Sequence, residues 1–195
     1  MKNKTSNRMS TENMVLLGIL TALVVVLQGL AVFLKVVFGI FAPSLVLIPI
    51  VIGTATCGKK AGAWLGLVFS IMVFATGDAN AFLAVNIPGT IITVLLKGVI
   101  CGFAAGAVYE ALAKKNQTLA AITAAITCPV VNTGIFLLGC FAFFMETITE
   151  WAGGSNVGQY IIVGLVGLNF VFELGLNLVL SPIIVRILNI RNKNK

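Results

Sequence analysis

Lys97 and Glu173 each stand inside a long apolar run. A charge at the centre of a bilayer costs on the order of 2.5–3.5 kcal/mol on insertion scales. A cation kept at that cost either pairs with an acidic side chain or holds the carboxylate or phosphate of a bound molecule. Polar neighbours extend both positions along a helical face. Thr90 and Thr93 precede Lys97 by seven and four residues, and Asn169 and Asn177 lie four residues either side of Glu173; such spacings put side chains on one side of a helix. Asn132 and Thr133 form a polar pair in a third apolar run, just after Pro129, whose ring can free a backbone carbonyl inside a helix. Asn80 and Asn86 lie in the polar connection before the Lys97 run, and Asn86-Ile87-Pro88-Gly89 reads as a structured helix start. Asparagines in such connections are commonly turn formers. Asn80, Asn86, Thr90, Thr93, Lys97, Asn132, Asn169 and Glu173 are thus candidate contacts for a small anionic ligand. An internal Lys97–Glu173 salt bridge is the competing explanation.

The elements that must position these residues follow from composition. The chain has 195 residues, 59% of them hydrophobic and 10% charged, with a mean hydropathy of +1.08. A soluble domain of this length has too little polar surface to cover so much apolar side chain. A bilayer span needs roughly 20 mostly apolar residues, so the length predicts about six membrane helices. Continuous apolar runs, without alternation, argue against a β-barrel. The predicted spans run from about Asn13 to Leu34, Pro43 to Cys57, Ala61 to Thr76, Gly89 to Ala113, Leu119 to Phe144 and Gln159 to Leu188. The fold class is therefore an all-α membrane protein of six transmembrane helices: residues 1–12 form a tail, residues 13–190 the membrane domain and residues 191–195 a second tail.

Charge orients these spans. The N-terminus, the turn at Lys59 and Lys60, the turn at Lys114 and Lys115 and the C-terminus hold 11 of the 13 basic residues. By the positive-inside rule that side, with both termini, is cytoplasmic. The opposite connections, Lys35–Ala42, Gly77–Pro88 and Met145–Gly158, are longer and poor in lysine and arginine, which predicts a site opening outward. Trp151 and Tyr160 flank the sixth span as interfacial aromatics do.

Several chemistries are excluded. The chain contains no histidine, which removes most zinc and non-haem iron sites and histidine-based acid–base catalysis. Cys57, Cys101, Cys128 and Cys140 show no C-x-x-C spacing and read as small packing residues. The net charge of +7 is spread along membrane edges, without the one-face clustering that nucleic acid requires. Gly53, Gly58 and Lys59 match the start of a phosphate loop, but Lys60 stands where Ser or Thr would ligate magnesium. No catalytic residues, cofactor or metal are expected.

Small residues mark packing faces. Gly98, Gly102 and Gly106 form a doubled G-x-x-x-G on the fourth span, and Gly62 with Gly66 repeats the pattern on the third. Glycines four apart let another backbone approach closely. Gly18 and Ala22 make a similar groove on the first span, open to a partner subunit.

Taken in order, these patterns resemble the S components of energy-coupling factor (ECF) transporters, over about Asn13 to Ile190. The resemblance rests on six spans with cytoplasmic termini, Ile48-Pro49-Ile50-Val51-Ile52-Gly53, Gly58-Lys59-Lys60-Ala61-Gly62-Ala63 with Gly66, Lys97-Gly98 leading to Gly102, and Pro129-Val130-Val131-Asn132-Thr133. It implies a bacterial plasma-membrane protein that captures a vitamin from outside, beneath the connections between spans 1–2, 3–4 and 5–6. It further implies docking on a T component, with two separate ATPase subunits supplying energy. Family members meet the T component through small residues on the first helix, commonly A-x-x-x-A; Gly18 and Ala22 stand there in this chain. The absence of histidine departs from nickel and cobalt members. Phe82, Phe143, Phe144, Trp151 and Tyr160 are the aromatics of the outer half, where thiamine and riboflavin members stack flat rings. The pattern is most similar to pantothenate-type members, and Lys97 with Asn and Thr neighbours suits pantothenate's carboxylate and polar backbone. Riboflavin, folate or another carboxylated vitamin remains an alternative, as does a self-sufficient secondary transporter.

Overall fold

In a computed structural model the protein is described over residues 10–38 and 45–193, and no strand occurs among them. Among these described residues, nine α-helices and one π-helical segment follow one another: α1 (Thr11–Phe38), α2 (Leu47–Cys57), α3 (Lys59–Ala75), α4 (Asn80–Leu83), α5 (Ile87–Ala113), α6 (Gln117–Phe143), α7 (Met145–Trp151), α8 (Val157–Gln159), the π-helix (Tyr160–Gly167) and α9 (Leu168–Lys193). Among the described residues, four stretches are long and apolar enough to cross a membrane: Thr11–Lys35, Ile87–Ala113, Gln117–Phe143 and Val157–Ile187. At 1.5 Å per residue, α3 reaches about 25 Å and α2 about 16 Å. The residues before Ser10, the expected start of the second span at Pro43, the connection over 39–42 and the last two residues lie outside the described residues.

The bundle has two ends. One carries the α2–α3 and α5–α6 turns with their lysines and is called the basic end; the other carries α4 and α7 and is called the loop end. Two expectations are corrected at the loop end. Lys35 belongs to the last turn of α1, where a cation meets the negative end of the helix dipole. The connections expected before Pro88 and after Phe144 contain the short helices α4 and α7.

Burial is inverted relative to a soluble protein. The exterior exposes large apolar side chains such as Ile19, Val26, Leu138, Ile162 and Val179, a surface suited to lipid. The interior is built largely from small residues, including Ala120, Ala121, Ala124, Ala125, Cys101 and Cys128. The described cysteines are all free, and three of the four are buried.

The glycine motifs explain the closest helix pair. α3 and α5 run antiparallel in a fixed register. A Cβ on Gly62 would strike the carbonyl of Gly102, one on Gly66 the carbonyl of Gly98, and one on Gly106 the backbone of Lys59. Ser70 continues the register by donating to the Val94 carbonyl at 2.7 Å. At the basic end Gly58 turns the chain with φ of 90°. There Glu110 accepts a hydrogen bond from the Lys59 amide at 3.1 Å and pairs with its Nζ at 3.1 Å, so the phosphate-loop lookalike is a helix turn fastened to α5.

α2 is the centre of the basic half. Leu47, Ile50 and Val51 are fully buried, and the helix touches α1, α3, α5, α6 and α9. Its shortness has a consequence above it: the surrounding helices continue toward the loop end, and the space between them is a cavity.

Candidate functional site

The cavity has a volume of about 520 Å³, within the usual range for small-molecule sites. The walls are built from several helices. α1 supplies Gln28, Ala31, Val32 and Lys35, the π-helix supplies Gly164, Leu165 and Val166, and α9 supplies Asn169, Phe170 and Glu173. The α1 set follows the i, i+3, i+4, i+7 spacing of a single helical face. α3 adds Phe69 and Val73, α5 adds Val94 and Lys97, and α6 adds Asn132, Thr133 and Phe136. Asp78, Ala79 and Phe82 line the side nearest the loop end. None of the described lining residues comes from α2.

Lys97 is the best-placed group for ligand chemistry. Its Nζ lies 5.3 Å from the centroid of the Phe136 ring and 5.7 Å from that of Phe69. Ring faces attract an ammonium electrostatically, worth about 0.5–2 kcal/mol each, but they accept none of its three hydrogen bonds in the way an oxygen does. Lys97 belongs to neither of the ion pairs Lys35–Asp78 and Lys59–Glu110. The rings therefore hold the ammonium in the cavity wall, and no hydrogen bond from it is formed among the described residues. Glu173, 8% exposed, faces the same cavity. Asn132 lines it as well, with a side-chain oxygen that has no hydrogen-bond partner among the described residues. A buried amide oxygen left this way costs about 1–3 kcal/mol, so a bound donor would find it waiting.

The eight sequence candidates divide into two groups. Lys97, Asn132, Asn169 and Glu173 come together around the cavity. Asn80, Asn86, Thr90 and Thr93 are not among its lining residues. Asn80 is exposed at the start of α4. Asn86 caps α5, its Oδ1 accepting from the Gly89 amide at 2.9 Å. The Thr90 hydroxyl donates to the Asn86 carbonyl at 2.7 Å. Thr93 sits in the α5–α6 seam, against the position a Gly139 Cβ would fill, and its buried hydroxyl lacks a partner among the described residues.

Composition hid several lining residues. Gln28, 3% exposed, lies on α1 in the middle of an apolar run. Phe69, Phe136 and Phe170 resemble any lipid-facing phenylalanine in sequence, yet line the cavity with Phe82. Of the aromatics expected near a ligand, Phe143, Phe144, Trp151 and Tyr160 are not among its lining residues. Phe144 and Trp151 instead back Phe82, with ring centroids 5.0 Å and 5.6 Å away in edge-on contact. The missing signal was periodicity: Gln28 and Lys35 are seven residues apart, on one face of α1.

Gly18 and Ala22 lie on the opposite side of α1 from the buried Leu20, Val24 and Gln28, and both are exposed. A Cβ on Gly18, or on Gly29 further along that face, would meet nothing within 4 Å.

No curated protein and no solved structure matches the chain. Residues 12–185 match the family described as ECF transporter, substrate-specific component. That family is the substrate-binding part of a transporter rather than an enzyme. The match covers every described residue that lines the cavity, and the chain belongs to the substrate-specific components of ECF transporters.

Proposed function

We propose that this chain captures a small carboxylated vitamin in the cavity between α1, α3, α5, α6 and α9, with pantothenate as the first candidate. The observation that carries the reading is the Lys97 ammonium, held over two phenylalanine rings in the cavity wall. The vitamin's carboxylate binds Lys97 in a charge-assisted contact. Asn132, Asn169 and Glu173 meet its hydroxyl and amide groups, and the phenylalanines pack its aliphatic part. Six helices place both termini on the cytoplasmic side, by the lysine bias of the basic end, so the loop end faces outward in the bacterial plasma membrane. Residues 13–190 form the transport domain. The exposed Gly18–Ala22 face of α1 docks on a T component, and two partner ATPase subunits drive delivery inward.

The test is equilibrium binding of radiolabelled pantothenate to the purified chain in detergent, with riboflavin, folate, thiamine and biotin as unlabelled competitors. Saturable binding displaced by pantothenate alone supports the assignment. Phe69, Phe82, Phe136 and Phe170 in the lining favour a second reading, a carboxylated vitamin with a flat ring such as folate. Displacement by folate at lower concentration than by pantothenate would select it. A self-sufficient secondary transporter predicts uptake by the chain alone in vesicles that lack the ATPase subunits.

A further inference from the structure

Two basic residues do not belong to the basic end or the chain's tails, Lys35 and Lys97, and both line the cavity. They stand at different depths. Lys35 is seven residues beyond Gln28 on one face of α1, about 10 Å nearer the loop end. Lys97 lies over Phe69, six residues before the end of α3 and so about 9 Å below it. Asp78 follows that end, and its carboxylate takes the Lys35 Nζ at 2.7 Å. The pair thus ties the loop ends of α1 and α3 together at the mouth of the cavity. Its side chains are 58% and 32% exposed, so water weakens the attraction and the carboxylate partner is readily exchanged.

We propose that Lys35 and Asp78 form a charge-selective entrance: the carboxylate of an arriving anion replaces Asp78 on Lys35, then moves deeper to Lys97. This rests on the cavity being the capture site. The arrangement makes the two partners opposite in effect. Lys35 draws anions, and Asp78 moderates it by occupying Lys35 until a competitor arrives. Without Lys35, an uncompensated Asp78 carboxylate repels anions from the mouth. Without the Asp78 charge, Lys35 attracts them more strongly. A pair that lies away from the entry path leaves anion access unchanged by either loss, and one whose loss merely loosens the bundle shifts access by both reagents together.

The experiment measures access rather than affinity. In the full chain carrying Cys57→Ser, a single reactive site is introduced by Val32→Cys on α1 or, separately, Thr133→Cys on α6. Modification rates are compared for an anionic and a cationic methanethiosulfonate reagent, the ethylsulfonate and the ethyltrimethylammonium. The anionic-to-cationic rate ratio is expected to fall about tenfold in Lys35→Gln and to rise about tenfold in Asp78→Asn, the scale of electrostatic focusing in a cleft. Shifts in the same direction, or ratios within about twofold of the parent in both variants, overturn the proposal. So does failure of both reagents to reach either introduced cysteine in protein that stays monodisperse. Radiolabelled pantothenate supplies the second arm: its association rate falls about tenfold in Lys35→Gln, with dissociation little changed. A parent protein that does not bind pantothenate refutes that ligand, while the reagent ratios still decide the entrance.

Discussion

At the scale of single residues, Lys97 and Thr93 show how one polar stripe can contain two different kinds of group. They lie four residues apart on the same face of α5, and the spacing alone made both candidate contacts. The long Lys97 side chain reaches past the seam to the cavity between Phe69 and Phe136, whereas the short Thr93 side chain stays in the α5–α6 contact. Two predictions follow from that difference. If Lys97 holds the carboxylate as proposed, Lys97→Ala removes a charge-assisted contact worth about 1.5–3 kcal/mol and should weaken vitamin binding about 10- to 100-fold while the purified protein stays monodisperse. Unchanged affinity by titration would show that the anion sits elsewhere. Thr93→Val replaces a buried hydroxyl without a partner by a methyl of the same shape, a change expected to be neutral or stabilising. Its melting temperature should match or exceed that of the parent, with ligand affinity retained. Asn86 provides a third case. Its side chain caps α5, so Asn86→Ala should cost about 1 kcal/mol of stability and leave the dissociation constant unchanged.

At the scale of elements, the helix pattern and the α3–α5 seam were legible because they depend on local spacing. Gly62, Gly66, Gly98, Gly102 and Gly106 recur every four residues within their helices, and close backbone contact is the physical reason for that pattern. The cavity was only partly legible because its walls are assembled from residues far apart in the chain. Gln28, Phe69 and Phe136 acquire their role when three helices converge, and the Lys35–Asp78 pair joins residues 43 positions apart. The eight-residue π-helix Tyr160–Gly167 was equally hidden; it contributes Gly164, Leu165 and Val166 to the wall. The seam makes a sharp prediction. At Gly66 a Cβ would collide with the backbone carbonyl of Gly98, which no side-chain rotation can relieve. Gly66→Leu should therefore destabilise the protein by at least about 3 kcal/mol, the upper end of ordinary overpacking. The measurement is thermal unfolding in detergent, with Gly134→Ala as the control, since a Cβ there meets nothing within 4 Å. Equal melting temperatures for the two variants would mean that α3 and α5 are further apart than described.

At the scale of the whole molecule, the two sides of α1 differ in character. Leu20, Val24 and Gln28 face inward, and the last of them reaches the cavity. Gly18, Ala22 and Gly29 leave a shallow strip on the outside, where nothing among the described residues covers the small side chains. Such a strip gains little from lipid alone, because bulky apolar residues fill a lipid-facing surface equally well, whereas another helix gains close van der Waals contact there. Bulk added to the strip should then separate capture from transport. Ala22→Trp is expected to leave vitamin binding by the isolated chain within about twofold of the parent, because Ala22 is not among the residues lining the cavity and distant sites act independently. The same variant should reduce ATP-driven uptake by at least about tenfold, roughly the loss of one well-packed contact of 1.4 kcal/mol, when the T component and ATPase subunits are co-reconstituted in vesicles. Loss of both activities would mean that Ala22 supports the bundle itself. Loss of neither would move the docking face away from α1.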